Sequence, residues 1–139
     1  MQVPRYYRWV RDEADMGAAY RYYLLQLQIL QSNTPGRRWV LKNSPHLLFL
    51  NDLHAVLPGA FFVQFHRDPV KVLFSNCKLS AYLRSMMSDT VDLHEVGAGM
   101  LQLLGDYVDR LLEFRDSGVS RPWIDVRFRD FVSAPHAVI

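Results

Sequence analysis

Residues 61–69 read Phe61-Phe62-Val63-Gln64-Phe65-His66-Arg67-Asp68-Pro69, an apolar run that ends in a cation, a helix-capping residue and a proline. Asp is a favourable N-cap because its carboxylate accepts hydrogen bonds from backbone N–H groups. Pro suits the first helical position because it has no N–H to leave unpaired. The stretch therefore predicts a strand over 60–66 that turns directly into a helix beginning at Pro69.

The same local design occurs earlier in the chain, at Trp39-Val40-Leu41-Lys42-Asn43-Ser44-Pro45. It predicts a short strand over 39–42, with Ser44 as the cap of the next helix. If the two strands are parallel neighbours, Lys42 and Arg67 lie at strand carboxyl ends beside helix N-termini, where open α/β sheets bind ligands. Two cations at such an edge predict an anion site, and most naturally a phosphate site.

The rest of the chain alternates between helical and strand patterns. The spacing of apolar residues predicts helices over 15–31 and 91–115, a helix that ends before Pro58, and a helix that begins at Pro69 and ends near Ser85 to Thr90. A third strand is predicted over 123–127. This alternation predicts an α/β fold with a parallel sheet of about three strands, which is small for such a sheet and therefore incomplete. The predicted inward stripe of the helix after Pro69 is Val70, Leu73, Phe74, Cys77 and Ala81.

Composition limits the classes of protein to which the chain can belong. Half of its 139 residues are apolar, which predicts a single domain with an ordinary core. The net charge of +2 is too even to predict a nucleic acid partner. The single cysteine, Cys77, excludes an internal disulfide or a multi-cysteine cluster. Neither a signal peptide nor an apolar run of transmembrane length is present, which predicts a cytoplasmic protein.

One segment resembles a known family. His66-Arg67-Asp68-Pro69, with Ser75 eight residues after Arg67, is similar to the 3′-phosphate-binding segment of the sulfotransferases that use phosphoadenosine phosphosulfate (PAPS). The surrounding sequence follows the order seen in the bacterial branch of that family, and the resemblance covers most of residues 15–136. Its other segments are Trp39-Val40-Leu41-Lys42, Pro45-His46-Leu47, Val56-Leu57-Pro58-Gly59-Ala60 and Ile124-Asp125-Val126-Arg127-Phe128.

The resemblance implies a P-loop NTPase-like parallel sheet flanked by helices, with PAPS as co-substrate and no metal. A sulfonate group would pass from PAPS to a hydroxyl or amine of a small-molecule, glycan or lipid acceptor. By the resemblance, Arg67 and Ser75 hold the 3′-phosphate, and Lys42 lies near the sulfonate and the bridging oxygen. His46 corresponds to a base used by some branches of the family.

The family's Gly- and Ser-rich loop for the 5′-phosphosulfate has no match in this sequence, nor does its late Gly-rich loop. The sequence therefore predicts a partial sulfotransferase domain over residues 1–139, truncated at both ends, that carries the 3′-phosphate-binding part. A truncated, non-catalytic interaction module is the alternative, in which helices 15–31 and 91–115 pack on a partner. A kinase fragment is a weaker alternative, because the Gly-x-x-x-x-Gly-Lys loop is also missing.

Each candidate residue also has a purely structural interpretation. Arg67 could pair with Asp68 or with a surface carboxylate, and Lys42 could be a solvated strand-end lysine. His46 could be a capping or partly buried histidine. Tyr20 and its neighbours could line an acceptor pocket, although helical spacing favours a core position for Tyr20.

Overall fold

The structure is a computed structural model that describes residues 3–36, 38–118 and 122–137. It confirms the α/β class: the described residues form six α-helices and a parallel sheet of two strands. The elements in chain order are α1 (Pro4–Asp12), α2 (Met16–Gln31), a 3₁₀ turn (Ser44–Phe49), α3 (Leu50–Val56), β1 (Phe62–His66), α4 (Pro69–Ser85), α5 (Leu93–Asp116), β2 (Trp123–Arg127), α6 (Phe128–Ser133) and a second 3₁₀ turn (Pro135–Ala137).

The chain divides into two compact units. Among the described residues, the helical unit comprises residues 3–60 and 106–118, and the strand unit comprises residues 61–105 and 122–137. Helix α5 contributes its first part to the strand unit and its last part to the helical unit.

The helical unit holds most of the buried apolar side chains. Helix α2 begins as its sequence predicts, because the Asp15 carboxylate accepts a hydrogen bond from the Ala18 N–H at 2.9 Å. It packs against α3, which follows directly on the first 3₁₀ turn. The buried side chains of this unit are Tyr20, Leu27, Leu48, Phe49, Leu50, Leu53, Tyr107 and Phe114.

The prediction of a strand over residues 39–42 is wrong. Residues 38–43 are irregular and exposed, and the described residues supply no hydrogen-bonded partner strand for them. A strand needs such a partner because its backbone groups are satisfied between chains, so apolar composition alone does not form one. The predicted Ser44 cap is wrong too: Ser44 is the first residue of the 3₁₀ turn, and Asn43 precedes it without a side-chain capping bond.

The strand unit is built on the parallel pair of β1 and β2. Phe62 lies opposite Trp123, and the register continues to His66, which lies opposite Arg127. Successive side chains alternate between the two faces of the sheet. One face therefore carries Phe62, Gln64, His66, Trp123, Asp125 and Arg127, and the other carries Val63, Phe65, Ile124 and Val126.

Helix α4 begins at Pro69 as predicted. Asp68 is its N-cap, with Oδ1 accepting from the Val70 N–H at 2.9 Å and from the Lys71 N–H at 3.2 Å. The predicted inward stripe is not a buried face, because Val70 and Phe74 are 73% and 65% exposed. The helical period of the apolar residues therefore located this helix, but none of the residues of α4 is fully buried.

Candidate functional site

Arg67 follows β1 directly and lies against an aromatic ring. Its guanidinium carbon is 4.8 Å from the centroid of the Phe128 ring, and Phe128 is the first residue after β2. No carboxylate of the described ranges forms an ion pair with Arg67, which is exposed. Asp68 does not pair with it, because that carboxylate caps α4. The in-plane N–H groups of the guanidinium are therefore available to an anion.

Ser75 is the seventh residue of α4 and is exposed. At 1.5 Å per residue it lies about 9 Å along the helix axis from Pro69. Its hydroxyl makes no hydrogen bond to any other residue that the structure describes. Arg67 and Ser75 belong to the strand unit, so an arginine and a hydroxyl of the predicted phosphate site occur in one compact unit.

The cation at the strand end next to β1 is not the one that the sequence predicted. Arg127, opposite His66 in the parallel register, occupies the carboxyl end of the adjacent strand. Lys42 was expected there, but it lies in the irregular segment 38–43 of the helical unit and is exposed. The rule that gathers parallel strand ends at one edge would have found Arg127 if it had been applied to the predicted strand 123–127.

His46 lies at the start of the helical unit's 3₁₀ turn and is half-buried. Its Nδ1 is 2.9 Å from the Tyr20 hydroxyl oxygen, and its ring lies 5.6 Å from the Tyr20 ring and 6.0 Å from the Tyr23 ring between centroids. Burial lowers the pKa of His46 below its ordinary value, because the charged imidazolium loses hydration. The side chain is therefore held as a neutral imidazole near neutral pH.

Tyr20 is 5% exposed, so its core position is confirmed. Burial, with the nearby charge of Asp52 as a smaller cause, raises the pKa of Tyr20 to about 12. The phenol is therefore un-ionised and can either donate to His46 Nδ1 or accept from it. If Nδ1 carries the proton and donates to Tyr20, Nε2 has the lone pair that a general base requires. Sequence periodicity placed Tyr20 in the core but gave no sign of its contact with His46.

A second polar cluster lies on the face of the sheet that carries His66. His66 Nε2 is 2.6 Å from Asp125 Oδ1, and the Trp123 indole N–H donates to the same oxygen at 3.2 Å. The rings of Trp123 and Phe62 stack with centroids 5.2 Å apart. The sequence did not single out Asp125, because its partner is 59 residues away along the chain.

Within the described ranges, no group of three or more His, Cys, Asp or Glu side chains could hold a metal ion. No helix among them combines the length and apolar character needed to cross a membrane.

One comparison with known proteins bears out the class that the sequence motif around Arg67 indicates. The model of the sulfotransferase family matches residues 1–139, so the match extends over the entire chain. The chain belongs to the sulfotransferase family, which is a family of transferases. A search of curated proteins and a search of solved structures both found no match.

Proposed function

We propose that the chain takes part in the transfer of a sulfonate group from PAPS to a hydroxyl or amine acceptor, and that it contributes the part that binds the 3′-phosphate. The observation that carries the proposal is the state of Arg67. It is exposed at the end of a parallel strand, and no carboxylate of the described residues pairs with it. A guanidinium with open N–H donors is suited to bidentate contact with a phosphate dianion.

The backbone at the start of α4 adds less to this phosphate site than a bare helix N-terminus would. The N–H groups of Val70 and Lys71 already donate to Asp68. Binding therefore depends on side chains, with Arg67 supplying charge and Ser75 supplying a hydroxyl donor.

In the proposed reaction, the acceptor oxygen or nitrogen attacks the sulfur as the bond from sulfur to the bridging oxygen breaks. The bridging oxygen takes the electron pair and leaves with adenosine 3′,5′-bisphosphate. The family resemblance assigns to Lys42, an exposed ammonium of the helical unit, the stabilisation of the charge that grows on this oxygen. His46 takes the proton of the acceptor at Nε2, while its Nδ1–H donates to Tyr20.

Calorimetric titration of the full chain with adenosine 3′,5′-bisphosphate tests the proposal. Arg67→Ala is expected to weaken binding by about 10-fold or more, because it removes charge-assisted hydrogen bonds. Arg129→Ala is the matched control, since the Arg129 side chain is 88% exposed and lies in the same unit. Equal affinities of both variants and the wild-type chain would refute the phosphate site.

A non-catalytic interaction module is the second candidate function, favoured by the exposed apolar side of α2. Tyr22, Leu25 and Ile29 recur at helical spacing and are 64%, 49% and 62% exposed. Apolar side chains grouped in this way are typical of a surface that packs on a partner. Under this alternative, the wild-type chain does not bind the bisphosphate at all, so the same titration separates the two functions.

A further inference from the structure

The feature that the proposed function leaves unexplained is the ring beneath Arg67. Phe128 is 38% exposed, so its ring is not simply a core side chain. Its place follows from the register: His66 and Arg127 lie opposite each other as the last residues of β1 and β2, and Arg67 and Phe128 are the residues that directly follow them. The parallel pairing thus brings the guanidinium over the ring.

An aromatic ring and a phosphate contact different parts of the Arg67 guanidinium. The aromatic face attracts the flat face of the cation, whereas the N–H donors point outward in the guanidinium plane. A carboxylate partner would instead occupy those in-plane donors. The contact with Phe128, 4.8 Å from the guanidinium carbon to the ring centroid, therefore orders Arg67 without placing a competing carboxylate at the donors that a phosphate needs.

Ordering matters because an exposed arginine has many rotamers and loses that freedom when it binds a ligand. A side chain that is already held in one orientation loses less on binding. We propose that Phe128 is a positioning residue for the phosphate site, and that its ring pre-orders Arg67 so that the chain binds 3′-phosphorylated nucleotides in preference to nucleotides with a 5′-phosphate alone. This inference rests on the proposed role of Arg67.

Variants of Phe128 test the inference by calorimetry on the full chain, with adenosine 3′,5′-bisphosphate and adenosine 5′-phosphate as the two probes. Phe128→Leu keeps an apolar side chain but removes the ring, and is expected to weaken bisphosphate binding about 2- to 5-fold. Affinity for the 5′-phosphate is expected to stay unchanged. Phe128→Tyr keeps a ring and is expected to restore the wild-type preference.

Phe131→Leu is the matched control. Phe131 lies in the same short helix, but its ring contacts Phe65, with centroids 5.0 Å apart, rather than Arg67. Its substitution is expected to leave the preference between the two nucleotides unchanged. An equal loss of preference in Phe131→Leu and Phe128→Leu would assign the effect to packing of the helix and overturn the inference.

A double-mutant cycle separates failure of the inference from failure of the proposed function. In the Arg67→Ala background, Phe128→Leu is expected to cause no further loss of bisphosphate affinity, because the ring acts only through Arg67. If Phe128→Leu weakens bisphosphate binding by the same factor with Arg67 present and with Arg67 replaced by Ala, the positioning role is wrong, although the phosphate site is still supported. If Arg67→Ala itself leaves affinity unchanged, the proposed function fails instead.

Should Phe128→Leu fail to fold, the wild-type chain still gives an answer by nuclear magnetic resonance. The Nε–Hε signal of Arg67, assigned by its loss in Arg67→Lys, is expected to show an upfield ring-current shift. Adenosine 3′,5′-bisphosphate is expected to change the position of this signal while the upfield ring-current shift persists. Adenosine 5′-phosphate is expected to leave the signal unchanged. Loss of the ring-current shift on bisphosphate binding would show that Arg67 leaves the ring, and would overturn the inference.

Discussion

His66 of β1 and Asp125 of β2 are joined diagonally across the sheet, with Nε2 2.6 Å from Oδ1. They are not register partners, because Asp125 lies opposite Gln64 and His66 lies opposite Arg127. Side chains on one face of a paired sheet interact along such diagonals as well as directly. The Asp125 carboxylate therefore ties the end of β1 to the middle of β2, next to the point where Arg67 leaves the strand.

Removal of this link is expected to weaken the sheet. Asp125→Ala loses the contact with His66 and the hydrogen bond from Trp123, and should lower the free energy of unfolding by about 1 kcal/mol. The value is modest because the His66 and Asp125 side chains are 50% and 41% exposed and water competes for them. Urea unfolding followed by far-ultraviolet circular dichroism measures the change.

The control for this variant is Asp89→Ala, since Asp89 is exposed and lies outside both strands. Its effect is expected to stay within about 0.5 kcal/mol, as for most surface substitutions. A loss as large as that of Asp125→Ala would show that the carboxylate has no special part in the sheet.

The stability of the chain is expected to depend on the ionisation of His46. Burial holds the pKa of His46 below its ordinary value, so the unfolded chain binds a proton there more readily than the folded chain. This contribution to stability is therefore complete above the unfolded-state pKa of about 6.5 and is lost as pH falls through the lower folded-state pKa. Glutamine has no proton to gain in this pH range. When the pH is lowered from about 7.5 to about 5.5, the free energy of unfolding should therefore fall less in His46→Gln than in the wild-type chain.

Urea unfolding at the two pH values measures this difference. His94→Gln is the control, because it removes an exposed imidazole on α5 instead of the half-buried imidazole of His46. If His46→Gln and His94→Gln change the pH dependence equally, His46 is not the group responsible.

The features that the sequence predicted correctly are those set by neighbouring residues. The cap formed by Asp68 and Pro69 was predictable because capping satisfies N–H groups only two and three residues away. Gly118, two residues after the end of α5, has the positive φ of 69° that is typical of a glycine following a helix. Apolar periodicity located α2 and α5 for the same reason, since it repeats within each helix.

Features that depend on distant residues were missed or wrong. Residues 39–42 have the composition of a strand, but strand formation depends on a partner that composition does not specify. The contact of Tyr20 with His46 joins positions 26 residues apart, so no local sequence pattern predicts it. Arg67 was singled out from the sequence, whereas the ring of Phe128 beneath it follows only from the observed register.

A polar network in the helical unit is expected to hold α1 in place. Asp106 of α5 accepts from the Tyr7 hydroxyl at 2.6 Å and from Arg11 Nη1 at 3.0 Å. Burial, together with the hydrogen bond to Asp106, raises the pKa of Tyr7 above its ordinary value, so the phenol remains a donor. Asp106→Ala should lower the free energy of unfolding by about 2 kcal/mol, and Tyr7→Phe by about 1 kcal/mol.

A double-mutant cycle on this network is more informative than either variant alone. Once Asp106 is absent, Tyr7→Phe is expected to cost much less, because the hydroxyl has already lost its acceptor. Asp109→Ala on the same helix is the control, since Asp109 is exposed. Additive losses in the cycle would contradict a direct energetic link between Tyr7 and Asp106.

The hydroxyl of Ser75 is expected to contribute to phosphate binding but not to stability. It is exposed and makes no hydrogen bond within the described part of the chain, so its removal costs the folded state little. A hydroxyl that donates to a charged phosphate is worth more, and Ser75→Ala should weaken binding of adenosine 3′,5′-bisphosphate by about 10-fold. Ser85→Ala in the same helix is the matched control, because the Ser85 hydroxyl already donates to the Tyr82 carbonyl. Calorimetry compares the two variants, and equal affinities would place Ser75 outside the phosphate site, leaving Arg67 without its predicted companion.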